Sequence, residues 1–206
     1  MRIPKAVAGA YAGVVAIAGG DAASSVKSFV ARFRGKSVLL VGPQFAGKTT
    51  LAALLGDDST SLVLASNQKA KPKLVNLSQF KLKTPQLDLT DAPDDETVKT
   101  AIRDRVPKAN LVCLVVSLER LEGNSPLDDP LRLAKQVAQC SRVKTKSALV
   151  LTHLGAAGFR DSESVLADAR VAEIKVALGA TEVLIGNLLD KDDRTAIAAR
   201  IIGALT

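Results

Sequence analysis

The sequence has 206 residues, 47% hydrophobic and 24% charged, which suits one domain with a full core and excludes general disorder. A formal net charge of +7 favours acidic partners such as nucleotides or anionic lipid head groups. Aromatic residues make up only 3% of the chain, with no tryptophan, so we expect no base-stacking nucleic-acid surface, and the two cysteines are too few for a disulfide framework or a zinc cluster.

The chain begins with a short basic stretch, followed by the uncharged run AVAGAYAGVVAIAGG over residues 6–20. Such a start is typical of a secretory signal. A helix of this length spans about 22 Å, short of the ~30 Å hydrocarbon core of a bilayer. Gly9 and Gly13 would allow such a helix to pack closely against lipid-embedded partners or against the protein itself. A signal, a membrane anchor and a packed helix all stay open.

The next segment predicts a basic amphipathic helix. Its apolar positions recur at helical spacing and its other positions are largely basic: Val26, Phe29, Val30 and Phe33 against Lys27, Arg32, Arg34 and Lys36. Such a helix either lies on an anionic membrane or packs on the domain that follows. We therefore divide the chain into an N-terminal helical extension, residues 1–36, and a domain, residues 37–206.

The strongest motif is a phosphate-binding loop. An apolar run over residues 38–41 leads into Gly42, four further residues and then Gly47-Lys48-Thr49, followed by the helix-like LAALL. This is the G-x-x-x-x-G-K-T spacing in its strand–loop–helix setting. Inward backbone N–H groups and the helix N-terminus hold a polyphosphate, Lys48 neutralises it, and Thr49 binds Mg²⁺. The expected nucleotide contacts in the loop are Gly42, Gln44, Phe45, Ala46, Gly47, Lys48, Thr49 and Thr50.

From residue 37, predicted strands and helices alternate, which is typical of a three-layer α/β domain with a mostly parallel sheet of about six strands. The predicted strands are 37–42, 74–80, 85–91, 109–117, 147–153 and 181–186, and the predicted helices are 48–56, 95–105, 128–142, 162–178 and 191–204. We expect the second and third strands to form an antiparallel hairpin at one edge. The polar stretch 56–73 is a candidate mobile switch loop.

A carboxylate, Asp91, ends the third predicted strand within QLDLTDAPDDE. At that end of a strand beside the phosphate loop, it would meet Mg²⁺ through water, together with Thr49. The alternative is a solvated acidic loop, because Asp94, Asp95 and Glu96 continue the acidic run. We take Asp91 and Thr49 as the candidate metal ligands.

The phosphate loop, the predicted hairpin, Asp-x-Pro and the later strand–helix steps together resemble the Ras-like small GTPase superfamily over residues 37–206. The resemblance implies a P-loop G domain that binds GTP or GDP with Mg²⁺, with Lys48 and Asp91 in the catalytic machinery. It also implies a molecular switch or a nucleotide-dependent binding module.

Three residues depart from that family pattern. Asp94 stands where the family has a glycine that senses the γ-phosphate, and Asp95 stands where many relatives have a water-positioning glutamine. Gln44 occupies the place of a small residue that leaves space for an arginine finger. A carboxylate repels a neighbouring phosphate. The resemblance therefore implies weak GTPase activity, slow or partner-dependent, or a catalytically inactive pseudo-GTPase scaffold.

The base-reading element also departs from the family. Thr152-His153-Leu154-Gly155 follows the fifth predicted strand where the family has Asn/Thr-Lys-x-Asp, so Gly155 replaces the guanine-binding carboxylate. By resemblance, Thr152 and His153 face the base, although His153 is equally an ordinary residue at a strand end. Asn187 falls where relatives carry Ser-Ala-Lys and would reach the base through its amide. Selection of guanine over adenine stays open.

The expected partners are a nucleotide, a protein and, through residues 1–36, an anionic membrane surface. The expected location is the cytoplasm, with peripheral binding or anchoring to a membrane as an option. A nucleotide kinase or another ATPase is disfavoured, because no arginine-rich lid or separate acceptor segment is evident in the sequence.

Overall fold

The computed structural model describes residues 14–16, 22–65, 73–88, 95–121, 129–155 and 161–205. The strands are β1 (Val14–Ala16), β2 (Val38–Gly42), β3 (Ser61–Ala65), β4 (Lys73–Asn76), β5 (Gln86–Asp88), β6 (Leu111–Ser117), β7 (Lys146–Thr152) and β8 (Glu182–Ile185). The helices are α1 (Ala22–Ala31), α2 (Lys48–Leu55), α3 (Asp95–Arg105), α4 (Pro130–Cys140), α5 (Ser162–Leu166), α6 (Ala169–Leu178) and α7 (Lys191–Ala204). Short 3₁₀ helices cover Leu77–Phe80, Val106–Lys108 and Leu118–Arg120.

Within the described ranges, the main sheet has five parallel strands in the order β5-β2-β6-β7-β8. Because side chains alternate along a strand, Leu40 contributes to the core on one face and Leu39 to the core on the other. Residues of α1, α2 and α7 cover the first face, and residues of α3, α4 and α6 cover the second. Burial on both faces explains why β2 and β6 are continuous apolar runs. This arrangement confirms the predicted three-layer α/β class.

The predicted hairpin between the second and third strands is wrong. Instead, β4 pairs antiparallel with β3, which also pairs parallel with β1, and β5 pairs parallel with β2. The main sheet therefore has five strands, and β1, β3 and β4 form a separate three-stranded sheet. A 3₁₀ turn lies between β4 and β5, and its Leu77 and Phe80 are fully buried.

The predicted switch loop is partly ordered as strand. β3 begins at Ser61, inside the stretch that we expected to be a loop, and only a short Leu-Val-Leu segment marks it as a strand in the sequence. Residues 66–72 of the same stretch lie outside the described residues.

The end of the N-terminal extension packs against the domain. Phe29 and Phe33 are buried, and their rings lie 6.4 Å and 5.4 Å, centroid to centroid, from the ring of Phe80. The apolar side of the predicted amphipathic helix is thus used in the core, while Lys27 and Arg32 stay exposed. Within the described part of the chain, no helix combines the length and the apolar character needed to cross a bilayer.

Candidate nucleotide site

The segment between β2 and α2 folds as the predicted strand–loop–helix, and both motif glycines have a physical reason. A Cβ on Gly42 would lie 2.1 Å from the backbone oxygen of Val115, so only glycine fits between β2 and β6. Gly47 has φ 93°, in the left-handed region that favours glycine. Phe45 also has a left-handed backbone, with φ 62°, although it carries a side chain. Strained positions of this kind cluster at ligand sites.

A cavity of about 510 Å³ lies over this loop. Its lining residues are Gln44, Phe45, Gly47, Lys48, Thr49, Thr50 and His153. The phosphate loop and the predicted base-reading histidine therefore meet at one cavity, beyond the carboxyl ends of parallel strands, where open α/β sheets bind their ligands. Gly42 and Ala46, which we also expected to contact the nucleotide, are buried beneath it.

Lys48 is held inside the loop. It is only 4% exposed, and its ammonium donates a hydrogen bond to the carbonyl oxygen of Pro43 at 2.5 Å. Since proline keeps its carbonyl acceptor, the loop itself fixes the ammonium. A cation is thus placed at the wall of the cavity before any anion arrives.

Thr152 supports the loop from below. It is fully buried, and its hydroxyl donates to the carbonyl oxygen of Ala46 at 2.9 Å. The Thr152 hydroxyl oxygen also lies 3.0 Å from Nδ1 of His153. Thr152, which we expected to face the base, therefore joins the end of β7 to the phosphate loop, and His153 alone reaches the cavity.

Asn187 closes a turn after β8. Its side-chain oxygen accepts from the backbone N–H of Leu189 at 2.9 Å, and its own N–H donates to Asp193 Oδ2 at 2.7 Å. It does not line the cavity. The neighbouring Leu188 is buried instead, and a Cβ on Gly47 would lie 2.9 Å from its Cδ1. The apolar side chain of Leu188, which sequence reasoning overlooked, thus packs against the phosphate loop.

Gly155 stands at the position that the sequence predicts to read the base. It has φ 91°, and among the residues that the structure describes no heavy atom lies within 4 Å of the place that a Cβ would take. The described neighbours leave room for a side chain at this point, although the backbone conformation favours glycine.

The acidic half of the predicted metal site is only partly described. Asp91 and Asp94 lie outside the described residues, and of Asp95 only the backbone, at the start of α3, is described. Among the residues that the structure does describe, no group of three or more His, Cys, Asp or Glu side chains could hold a metal ion. The role of Asp91 stays a prediction.

Two further side chains at the site were not predicted. The Thr49 hydroxyl donates to Oε1 of Gln86 on β5 at 3.0 Å. The Arg120 guanidinium carbon lies 5.5 Å from the centroid of the Phe45 ring, which is 72% exposed. Gln86 carried a signal in the sequence, since it is an isolated polar residue at the start of an apolar-alternating strand. Arg120 carried no such signal in the sequence, because its position beside Phe45 depends on where β6 ends in the folded protein.

No protein-family model matches the sequence, and no curated protein sequence matches it either. Among solved structures, the chain is similar to the small COPII coat GTPase SAR1 from Encephalitozoon cuniculi, described as an ADP-ribosylation-factor-like GTP-binding protein in complex with GDP. That match has 15% sequence identity and a TM-score of 0.50, and it covers 86% of each chain.

Two other solved structures are also similar. A mutation variant of SsGBP has 12% identity and a TM-score of 0.53 over 84% of this chain and 57% of its own. The FeoB G domain from Methanococcus jannaschii has 16% identity and a TM-score of 0.49 over 84% of this chain and 98% of its own. The similarity to SAR1, together with the loop geometry, confirms that the chain has the P-loop G-domain fold.

Proposed function

We propose that this chain, which has the fold of a P-loop G domain, is a small GTP-binding protein that acts as a switch or as a nucleotide-dependent binding module. The observation that carries the proposal is the cavity over the phosphate loop, where Lys48, Thr49 and His153 meet. The GDP bound to SAR1 supports a guanine nucleotide as the ligand.

The phosphate end of the ligand is bound mainly by the backbone. Loop N–H groups and the N-terminus of α2 attract the polyphosphate, and Lys48, held by the Pro43 carbonyl, neutralises its charge. The residues present fit a magnesium ion, because the Thr49 hydroxyl offers a hard oxygen at the cavity wall. When bound, Mg²⁺ neutralises phosphate oxygens. Asp91 is the proposed second ligand.

We expect GTP hydrolysis by the protein alone to be slow. Gln44 lines the cavity with a full side chain, in the position where a small residue would admit an arginine from a partner. Asp94 and Asp95 replace the glycine and the glutamine on which water activation depends in the resembling family. Efficient GTP hydrolysis then requires a protein partner, and we include this partner in the proposal.

The proposal is tested by the nucleotide that the purified full-length protein carries. Denaturation should release GDP or GTP, which chromatography then identifies. In the presence of Mg²⁺, the melting temperature should rise on addition of GTP or GDP and not on addition of ATP. A ligand present at 100 times its Kd raises the free energy of unfolding by about 2.7 kcal/mol, which gives a readily measured shift. A shift with ATP alone would contradict the guanine assignment.

A second function, an inactive scaffold that binds no nucleotide, is favoured by one observation. Gly155 stands at the position predicted to read the base, and a glycine offers no carboxylate to guanine. A folded protein that carries no nucleotide and does not shift with GTP, GDP or ATP would select the scaffold over the switch.

Association with an anionic membrane is also part of the proposal. It rests on the exposed Lys27, Arg32 and Arg34, since the apolar residues Phe29 and Phe33 are used in the core. Flotation of the full chain with phosphatidylserine vesicles should fall when these three basic residues are changed to Glu. Equal flotation of the variant and the wild type would remove the membrane from the proposal.

A further inference from the structure

Thr49 and Gln86 form a side-chain pair between the N-terminus of α2 and the edge strand β5. The Thr49 hydroxyl donates to Oε1 of Gln86 at 3.0 Å, and both side chains are at least partly accessible. Neither the phosphate-loop motif nor the acidic motif around Asp91 assigns a role to Gln86.

The backbone of Gln86 is fixed from two sides. Residue 86 is paired in register with Leu40 of β2, whose N–H donates to the carbonyl of Pro85 at 3.0 Å. Arg105 at the end of α3 donates from Nη1 to the carbonyl oxygen of Gln86 at 2.8 Å. The amide is therefore presented to Thr49 from a rigid sheet edge and not from a mobile loop.

This hydrogen bond decides how the Thr49 oxygen is oriented. A hydroxyl has one proton and two lone pairs, and a metal ion can only use a lone pair. With the proton directed to Gln86 Oε1, the lone pairs point away from Gln86. A neutral amide also avoids the extra negative charge that a carboxylate would bring to the site.

We propose that Gln86 is a positioning residue for the divalent cation: it accepts the Thr49 proton and so directs the Thr49 oxygen to Mg²⁺ bound with the nucleotide. The inference rests on the proposed GTP-binding function. It assigns part of the magnesium affinity to β5, outside both sequence motifs.

The experiment measures how the release rate of a bound fluorescent GDP analogue depends on free Mg²⁺. Gln86→Leu removes the acceptor and keeps a side chain of similar size. We expect it to raise the Mg²⁺ concentration at which retention of the GDP analogue is half-maximal about three- to tenfold, as for the loss of one hydrogen bond. Gln86→Glu keeps an acceptor and adds charge, so we expect it to lower that concentration by about the same factor. Thr84→Val, two residues earlier, is the matched control and should behave as the wild type.

Release in excess EDTA separates positioning from a structural role. Because Gln86 acts through the metal, wild type and both Gln86 variants should release nucleotide at the same rate without Mg²⁺. Different rates in EDTA, or an unchanged Mg²⁺ dependence in Gln86→Leu, would overturn the inference while leaving nucleotide binding intact. Weaker Mg²⁺ retention in Gln86→Glu would overturn it as well, since it would mean that the amide nitrogen faces Thr49. A wild type that binds no nucleotide would overturn both proposals.

Discussion

The two ends of the candidate cavity are built on different principles. At the end that we expect to bind phosphate, the loop is shaped by its backbone conformation, which depends on Gly42 and Gly47, since no other residue replaces them without strain or collision. At the base end, recognition in the resembling family depends on side chains, and here Thr152 supports the loop, Asn187 closes a turn and position 155 has no side chain. Recognition by the backbone is thus tied to the fold, whereas recognition by side chains can be lost while the fold stays intact.

The largest expected effect is at Gly42. In Gly42→Ala, the new methyl group would lie 2.1 Å from the Val115 oxygen, so β2 and β6 must separate. We expect a loss of unfolding free energy of roughly 3 kcal/mol or more, measured by urea denaturation. Gly155→Ala is the control: its methyl group meets no atom of the other described residues within 4 Å, so we expect it to lose stability through its φ of 91°. If both variants lose the same unfolding free energy, the close approach of β2 and β6 does not explain the requirement for glycine at position 42.

The next effect is at Lys48, and it concerns binding. Lys48→Ala removes the ammonium that the Pro43 carbonyl holds at the cavity wall. We expect a loss of GTP affinity of about 30- to 100-fold, the size of a charge-assisted hydrogen bond. Isothermal titration with GTP and Mg²⁺ measures it, with the exposed Lys135→Ala as the control. An unchanged affinity for GTP would mean that the nucleotide binds at another site.

Thr152 connects the two ends, so its removal should affect both. Thr152→Val keeps the shape and removes the donor to Ala46, which leaves a buried carbonyl without that partner. We expect a loss of stability of about 1–2 kcal/mol and faster amide exchange at Gly47. Thr145→Val is the control, since its hydroxyl makes only a 3.5 Å contact with Ala109. Unaltered exchange in the loop would show that Thr152 does not hold it.

The smallest expected effect concerns the end of the cavity that we expect to bind the base. Gly155→Asp introduces the carboxylate that the Ras-like GTPases, which the sequence resembles, use to bind guanine, at a position where no other described residue lies within 4 Å of the new Cβ. We expect the preference for GTP over ATP to rise about fivefold, since one hydrogen bond contributes about 1 kcal/mol. Competition titrations with both nucleotides measure the ratio. A fall in GTP affinity would mean that position 155 does not face the base.

The sequence predicted the phosphate loop and the layered fold because both depend on local patterns: glycine spacing, and apolar runs between helix-like segments. It did not predict the split between β4 and β5, where the buried Phe80 packs on Phe29 and Phe33 of the N-terminal extension, because that contact joins distant parts of the chain. The supporting role of Thr152 was also missed, because its partner Ala46 is 106 residues away along the chain. Contacts of this kind arise only once the sheet has formed.

The exposed ring of Phe45 offers a practical consequence. The chain contains no tryptophan, and this ring stands at the edge of the cavity with Arg120 over one face. Phe45→Trp would therefore give the protein a single indole, and indole is the aromatic group that a guanidinium binds best. Excited at the red edge of the indole absorption, where Tyr11 contributes little, its fluorescence would report occupancy of the cavity.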